Sequence, residues 1–249
     1  MQLTAFFREH PKVAIAFSGG TDSSFLLYAA KRDAKEVRAY YVQTAFQPRF
    51  ETEEALRTAE MIGVPVSVLS VDVLADSFVT SNPSNRCYFC KKRLFEAIRE
   101  KAESGGFPTL LDGTNASDDA GDRPGMKALE ELSVISPLRL CGLTKDAIRS
   151  LSKEAGLPTW NKPAYSCLAT RIPAGELITA EKLRTTETAE SFLLSLGFSD
   201  FRVRFLGGAA RIQIREEQIP LFMENREKIL AKLKREYSAV LLDLEVRPR

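Results

Sequence analysis

Residues 13–24 run Val-Ala-Ile-Ala-Phe-Ser-Gly-Gly-Thr-Asp-Ser-Ser, and the reading of this stretch decides the fold. Residues 13–17 form a short apolar run of the kind that becomes a buried strand. Ser18-Gly19-Gly20-Thr21-Asp22-Ser23-Ser24 follows at once and opens a helix expected over residues 22–31. Two glycines let the backbone turn tightly and approach a ligand closely. Unpaired N–H groups at the helix start, with the helix dipole, favour an anion, and the hydroxyls of Ser18, Ser23 and Ser24 add donors. No lysine follows the glycines, so this is not a Walker A loop, and there is no G-x-G-x-x-G.

Working outward, strands are expected at 37–43, 64–71 and 109–112, with a short fifth at 134–136. Helices are expected at 51–62, 91–102 and 144–155 between and after them. Alternating strands and helices with short links predict a doubly wound, mostly parallel α/β sheet over residues 1–160. Pro158, Pro163 and Pro173 punctuate a stretch of weak periodicity, and residues 161–178 read as a functional linker containing Cys167. Beyond it the pattern changes. Thr179 is placed to cap a helix ending near 196, and strands at 201–205 and 211–214 flank Gly207-Gly208. A long helix at 216–236 and a strand at 239–246 complete a smaller α+β domain over 179–249.

The chain has 249 residues, 44% hydrophobic and 27% charged, which is ordinary for a globular protein. Thirty-five basic and 33 acidic residues leave a formal charge of +2, no electrostatic footprint for nucleic acid. No window reaches the roughly 18 apolar residues of a membrane span. The N-terminal MQLTAFFREHPK lacks a basic segment followed by an apolar one, so the expectation is a cytoplasmic protein with reduced cysteines. His10 is the single histidine, which argues against a histidine base and against zinc held by imidazoles.

Four cysteines remain to be explained. Cys87-Tyr88-Phe89-Cys90 is a C-x-x-C at the mouth of a helix, Cys167 lies in Tyr165-Ser166-Cys167-Leu168-Ala169-Thr170-Arg171, and Cys141 sits in an apolar setting typical of a structural thiol. Cys87, Cys90 and Cys167 supply three of the four ligands a structural zinc wants. Three thiolates suit a [4Fe–4S] cluster with one open iron. A redox pair at Cys87 and Cys90, or thiols with no ligand, are the competing readings. Arg202 and Arg204 alternate with Val203, so both face one side of a strand, either as surface charge on an exposed sheet face or as a grip for a substrate phosphate with help from Arg171. Lys91 and Lys145 are candidates to contact nucleotide phosphates, but for an isolated lysine the solvated surface is the favoured reading.

The SGGTDSS sequence is similar to the SGGxDS motif of the PP-loop ATP pyrophosphatases, which include GMP synthetase, NAD synthetase and tRNA thiolation enzymes. That resemblance implies cleavage of ATP to AMP and pyrophosphate, with loop amides holding the pyrophosphate and Asp22 helping to hold Mg²⁺. It places ATP against Phe17, Ser18, Gly19, Gly20, Asp22, Ser23, Ser24, Gln43, Gly113 and Thr114. The chain further resembles the LarE family, ATP-dependent sulfur transferases of nickel-pincer nucleotide cofactor synthesis. Besides the loop, the resemblance is carried by Asp112-Gly113-Thr114-Asn115 with Asp118, by Arg123-Pro124-Gly125, by residues 165–173, and by Phe201-Arg202-Val203-Arg204 with Ala210-Arg211-Ile212.

What it implies is adenylylation of a carboxylate on a pyridinium dicarboxylate mononucleotide, followed by sulfur displacing AMP. One form of the family sacrifices the cysteine matching Cys167. This chain carries Cys87 and Cys90 as well and resembles the three-cysteine form, so the resemblance implies a [4Fe–4S] cluster, a sulfide or other sulfur donor, and a homo-oligomer. The alternatives are a tRNA 2-thiolation enzyme, which needs a basic surface, and a non-enzymatic ATP-binding sensor. An amide-forming ligase needs ammonia, and no glutaminase domain is recognisable.

Overall fold

The computed structural model describes residues 2–118 and 124–246. The chain divides into two units: the first holds residues up to Val73 and Asn85–Lys162, the second Leu74–Ser84 and everything from Pro163 onward.

In chain order the first unit begins with α1 (Leu3–Glu9), β1 (Lys12–Ala16), α2 (Thr21–Asp33), β2 (Glu36–Gln43), α3 (Arg49–Ile62) and β3 (Val66–Ser70). The short α4 (Ser77–Thr80) belongs to the second unit. The first unit resumes with α5 (Arg86–Ser104), β4 (Thr109–Leu111), α6 (Pro124–Glu131), α7 (Pro137–Leu140) and α8 (Lys145–Glu154). Its sheet has the order β3-β2-β1-β4, and every pairing is parallel. Successive side chains of a strand face opposite ways, and β1 uses both sides. Val13 and Ile15 join a core with Phe6, Phe7, Leu26, Leu27 and Ile148, while Ala14 joins another with Tyr40, Phe95, Ile98 and Leu110. A sheet covered on both faces is the doubly wound architecture read from the sequence.

Strand order reverses at β1, with β2 and β3 on one side and β4 on the other. In such sheets ligands bind in the crevice at the carboxyl ends of the strands beside the reversal. The glycine loop follows β1 and Asp112-Gly113-Thr114 follows β4, so both open onto that crevice.

Two features of the first unit differ from expectation. The short fifth strand at 134–136 is reduced to one parallel bridge, Leu111 to Ile135. Ser133 stands just before it at φ 50°, and Pro137 just after it has no N–H to extend a ladder. Helix α1 was not anticipated; seven residues are too few to declare a period, yet it buries Phe6 and Phe7.

The second unit contains α9 (Ala180–Ser195), β5 (Arg202–Leu206), β6 (Ala209–Gln213), α10 (Ile219–Glu224), α11 (Arg226–Leu233) and β7 (Val240–Leu242). Thr179 caps α9 as expected, its hydroxyl accepting from the Lys182 N–H at 3.2 Å. The β5–β6 hairpin turns at Gly207 and Gly208, φ 55° and 83°, and a two-residue turn of this hand needs both values positive. The helix expected at 216–236 is instead a 3₁₀ turn and two shorter helices. Pro220 has no N–H to bond the Glu216 carbonyl, and the Asn225 side chain donates to the Leu221 carbonyl at 3.0 Å at the second break. The last strand is three residues long and lies parallel to β6. Among the described residues no helix is long and apolar enough to cross a membrane.

Candidate active site

Glycine at position 19 is dictated twice. Its φ is +73°, and a Cβ there would lie 2.4 Å from the Ala55 Cβ of α3. Gly20 is the N-cap of α2 and offers no side chain to it. The first N–H groups of α2, which no intrahelical carbonyl can satisfy, therefore face the crevice without a protein cap. The Ser18 and Ser23 hydroxyls lie 3.0 Å apart within the loop. Ser24 is wholly buried and its Oγ has no partner among the described residues, so it belongs to the interior side of the helix.

Other contacts hold the loop from outside. The Thr21 hydroxyl donates to the Thr159 carbonyl at 2.7 Å. Lys162 reaches the Gly19 carbonyl at 3.5 Å and bridges Glu51 and Glu54 of α3 at 3.1 and 3.0 Å. Nothing in the sequence marked Lys162, a residue of the proline-punctuated stretch.

Asp22 stands in the first turn of α2. Its Oδ2 pairs with the Lys145 ammonium at 2.7 Å, while Oδ1 is buried and has no partner among the described residues. A carboxylate oxygen left orphaned beside a helix start with no side-chain cap suits a hard cation such as Mg²⁺. The expectation of a solvated Lys145 is thereby corrected: the sequence reading did not foresee that β4's loop and α8 converge on α2. That convergence is explicit. A Cβ on Gly113 would meet the Ser23 nitrogen at 2.9 Å, so only glycine lets the loop pass. Asp112 is buried and accepts from the hydroxyls of Thr114 and Ser136, which fixes the loop's start. Asn115 and Asp118 close a small turn, the Asp118 carboxylate accepting from the Asn115 N–H at 2.9 Å. Arg123, named with this segment in the sequence, lies outside the described residues.

At the end of β1, Phe17 is buried and its N–H donates to the Tyr40 carbonyl at 2.9 Å. Gln43 ends β2 exposed, and the neighbouring Thr44 hydroxyl donates to Gln47 at 2.6 Å. Both strand ends lie on the carboxyl edge of the sheet.

Cys87 and Cys90 occupy the first turn of α5, Cys87 exposed and Cys90 partly buried. Cys141 caps α7, and burial pushes its thiol above the ordinary range, in keeping with a structural residue. Cys167 is the N-cap of a 3₁₀ turn, Leu168–Arg171, in the second unit, and its carbonyl accepts from the Thr170 N–H and hydroxyl at 3.0 and 2.8 Å. Among the described residues no group of three or more His, Cys, Asp or Glu side chains is arranged to hold a metal ion. Cys87 and Cys90 belong to the first unit and Cys167 to the second.

The arginines of the second unit are occupied differently from the expectation. Arg171 is 1% exposed and forks onto Glu190, Nε to Oε1 at 2.7 Å and Nη2 to Oε2 at 3.1 Å. Its Nη1 donates to the Ser166 carbonyl and hydroxyl at 3.0 and 2.9 Å. Burial works against its charge, but the Glu190 hydrogen bonds and negative charge, with smaller help from Tyr165 and Cys167, together hold the guanidinium above its usual range. Glu190 also accepts from the Tyr165 hydroxyl and from the Val203 N–H at 2.9 Å. Burial and the Glu190 charge push the Tyr165 phenol far upward, so it acts as a donor.

Arg202 is buried as well, donating to the Ala164 carbonyl at 2.7 Å, and Arg204 donates to the Thr170 carbonyl at 2.6 Å. The face of β5 expected to be open to a phosphate is covered by residues 163–171. Glu190 was not singled out, although its signal was present: it falls on the stripe Leu183, Thr186, Glu190, Leu193, all buried.

A doubly wound parallel sheet with this uncapped glycine loop at its reversal point is a PP-loop nucleotide fold. Residues 12–87 match the model of the family described as queuosine biosynthesis protein QueC. An uncharacterized protein of Synechocystis is 38% identical over 90% of this chain and 84% of its own length. The pyridinium-3,5-bisthiocarboxylic acid mononucleotide synthase of Lactiplantibacillus plantarum is 32% identical over 91% of this chain and 83% of its own. A tRNA-specific 2-thiouridylase of Clostridium botulinum is 28% identical over 60% of this chain and about half of that enzyme, 52%. The chain belongs to the family of the pyridinium-3,5-bisthiocarboxylic acid mononucleotide synthases, the LarE-like PP-loop enzymes, and is an ATP-dependent sulfur transferase.

Proposed function

We propose that this enzyme adenylylates a carboxylate of pyridinium-3,5-biscarboxylic acid mononucleotide and converts it to a thiocarboxylate for a nickel-pincer cofactor. The observation that carries the reading is the uncapped start of α2 with the unpartnered Asp22 oxygen beside it, in a chain 32% identical to the Lactiplantibacillus enzyme. The substrate carboxylate oxygen attacks the α-phosphate of ATP, and pyrophosphate leaves onto the amides of Gly20, Thr21 and Asp22. Asp22 would hold Mg²⁺, which when bound would supply positive charge beside the departing pyrophosphate. A sulfur nucleophile then attacks the acyl carbon, the C–O bond to the phosphate breaks, and AMP departs. The adenine side of the site is assigned to Phe17 and Gln43, and Gly113 with Thr114 lines the phosphates.

Cys167 is assigned to sulfur delivery. Cys87 and Cys90 complete a set of thiols whose type suits a [4Fe–4S] cluster. Of the three arginines, Arg204 is the least buried and is assigned to the substrate phosphate, with Arg171 and Arg202 ordering the segment beneath it. The reading includes a small-molecule nucleotide substrate, a first unit that carries out the ATP chemistry and a homo-oligomeric assembly in the cytoplasm.

The test is AMP release from Mg-ATP by anaerobically purified protein, with and without the biscarboxylated pyridinium mononucleotide. Release is expected only with that nucleotide. Intact mass of the protein after one turnover then reports the sulfur source: loss of H₂S from Cys167 identifies a sacrificed cysteine. Release stimulated by tRNA instead, with sulfur in the RNA, would establish the 2-thiolation reading.

A further inference from the structure

Lysine 145 stands where local physics disfavours it. Thr144 caps α8, its hydroxyl accepting from the Ala147 N–H, which makes Lys145 the first residue of that helix. The positive end of the helix dipole lies there and repels an ammonium. A residue that violates its local preference is expected where function holds it. The position is also rigid. The Lys145 N–H donates to the Ser117 hydroxyl at 3.0 Å, and the Ala116 N–H to the Leu143 carbonyl at 2.8 Å, which ties the start of α8 to the loop after β4.

From that anchor the ammonium reaches Asp22 Oδ2 at 2.7 Å, across 123 residues of sequence. The other oxygen of the same carboxylate is buried and has no partner among the described residues. One ammonium thus neutralises the charge of Asp22 but satisfies only half of its lone-pair demand, as a placeholder would.

We propose that Lys145 is a charge-exchange residue: without nucleotide it occupies Asp22 in place of the divalent cation, and it transfers to the phosphates when Mg-ATP arrives. This rests on the assignment of Asp22 as the Mg²⁺ residue. The exchange makes metal and nucleotide binding mutually dependent. A bare divalent cation must displace an ammonium that then has no anion to pair with, whereas Mg-ATP supplies the cation for Asp22 and the anion for Lys145 together. No covalent bond is made or broken: the Lys145–Asp22 pair gives way to an Asp22–cation pair and a Lys145–phosphate pair.

The experiment measures Mn²⁺ binding to the nucleotide-free protein by electron paramagnetic resonance of the free ion. Lys145→Met is expected to bind Mn²⁺ at least about tenfold more tightly than the wild type, and Lys145→Arg, which keeps the charge, to bind it as weakly as the wild type. Asp22→Asn/Lys145→Met should lose the gained site. With a non-hydrolysable ATP analogue and Mg²⁺, Lys145→Met should bind the nucleotide about tenfold more weakly. Circular dichroism and thermal melting establish that each variant is folded. Mn²⁺ affinity of folded Lys145→Met within twofold of the wild type overturns the exchange. Substrate-dependent AMP release by the wild type is measured separately, so a failure of the exchange and a failure of the proposed reaction give different patterns.

Discussion

Gly113 and Arg171 mark two ways in which a single residue sets this site. At Gly113 the decisive quantity is distance: a Cβ would lie 2.9 Å from backbone that cannot yield. Gly113→Ala must push the loop after β4 away from α2, an overpacking cost of about 1–3 kcal/mol. The expected outcome is a folded protein whose affinity for an ATP analogue, read by calorimetry, falls about tenfold or more; unchanged affinity would show that the loop does not shape the nucleotide site. At Arg171 the decisive quantity is burial. Arg171→Met leaves the Glu190 carboxylate inside the second unit without its fork, which costs about 3–5 kcal/mol. Urea denaturation should register that loss, and adding Glu190→Leu should recover part of it, because removing both charges removes the unpaired one.

Elements follow from sequence where period and caps agree, and depart from it where one side chain competes with the backbone. The run 13–17, the glycine loop and the Thr179 cap were legible because each is local. The break at Asn225 was not: Pro220 and one amide side chain interrupt a period that reads as continuous. Glu190 was legible in principle, as a carboxylate on an apolar stripe, whereas its partner Arg171 needed the fold to place it. Lys162 gave no usable pattern and Lys145 only that of an isolated lysine, since their partners come from distant segments.

A pH prediction belongs to α1 and α2, joined by the Thr4 hydroxyl donating to Asp33 at 2.9 Å. Hydrogen bonds from Arg32, opposed by partial burial and aided by Thr4, hold the Asp33 carboxyl below its usual range. Because the folded value lies below the unfolded one near 3.9, the contribution is complete above that pH. It is lost as pH falls through the folded value. With Arg32 well exposed, the contribution is about 0.5 kcal/mol. Asp33→Asn should therefore melt lower than the wild type at pH 7, and the gap should close in acid. A gap that persists at pH 2 would assign the loss to packing.

For the molecule as a whole, charge balance makes a statement that no single residue can. With a formal charge of +2, the chain lacks the excess of cations that holds a polyanion against salt. Filter binding should retain tRNA only at low ionic strength and release it at physiological salt. Retention there would revive the thiolase reading, which the partial match to a 2-thiouridylase keeps available for test.

The second unit draws on two stretches of chain, with residues 85–162 of the first unit between them. Its early stretch is bound tightly to the later one: the Asn82 amide donates to the carbonyls of Ile172 and Pro173, and its own carbonyl accepts from the Gly175 N–H. A ribosome releases the early stretch long before its partners exist, so that stretch must wait until the intervening residues have been made. A truncation that begins at 163 accordingly exports a domain with a missing clasp, and a fusion or split of this enzyme should keep residues 74–84 in the same piece as the tail.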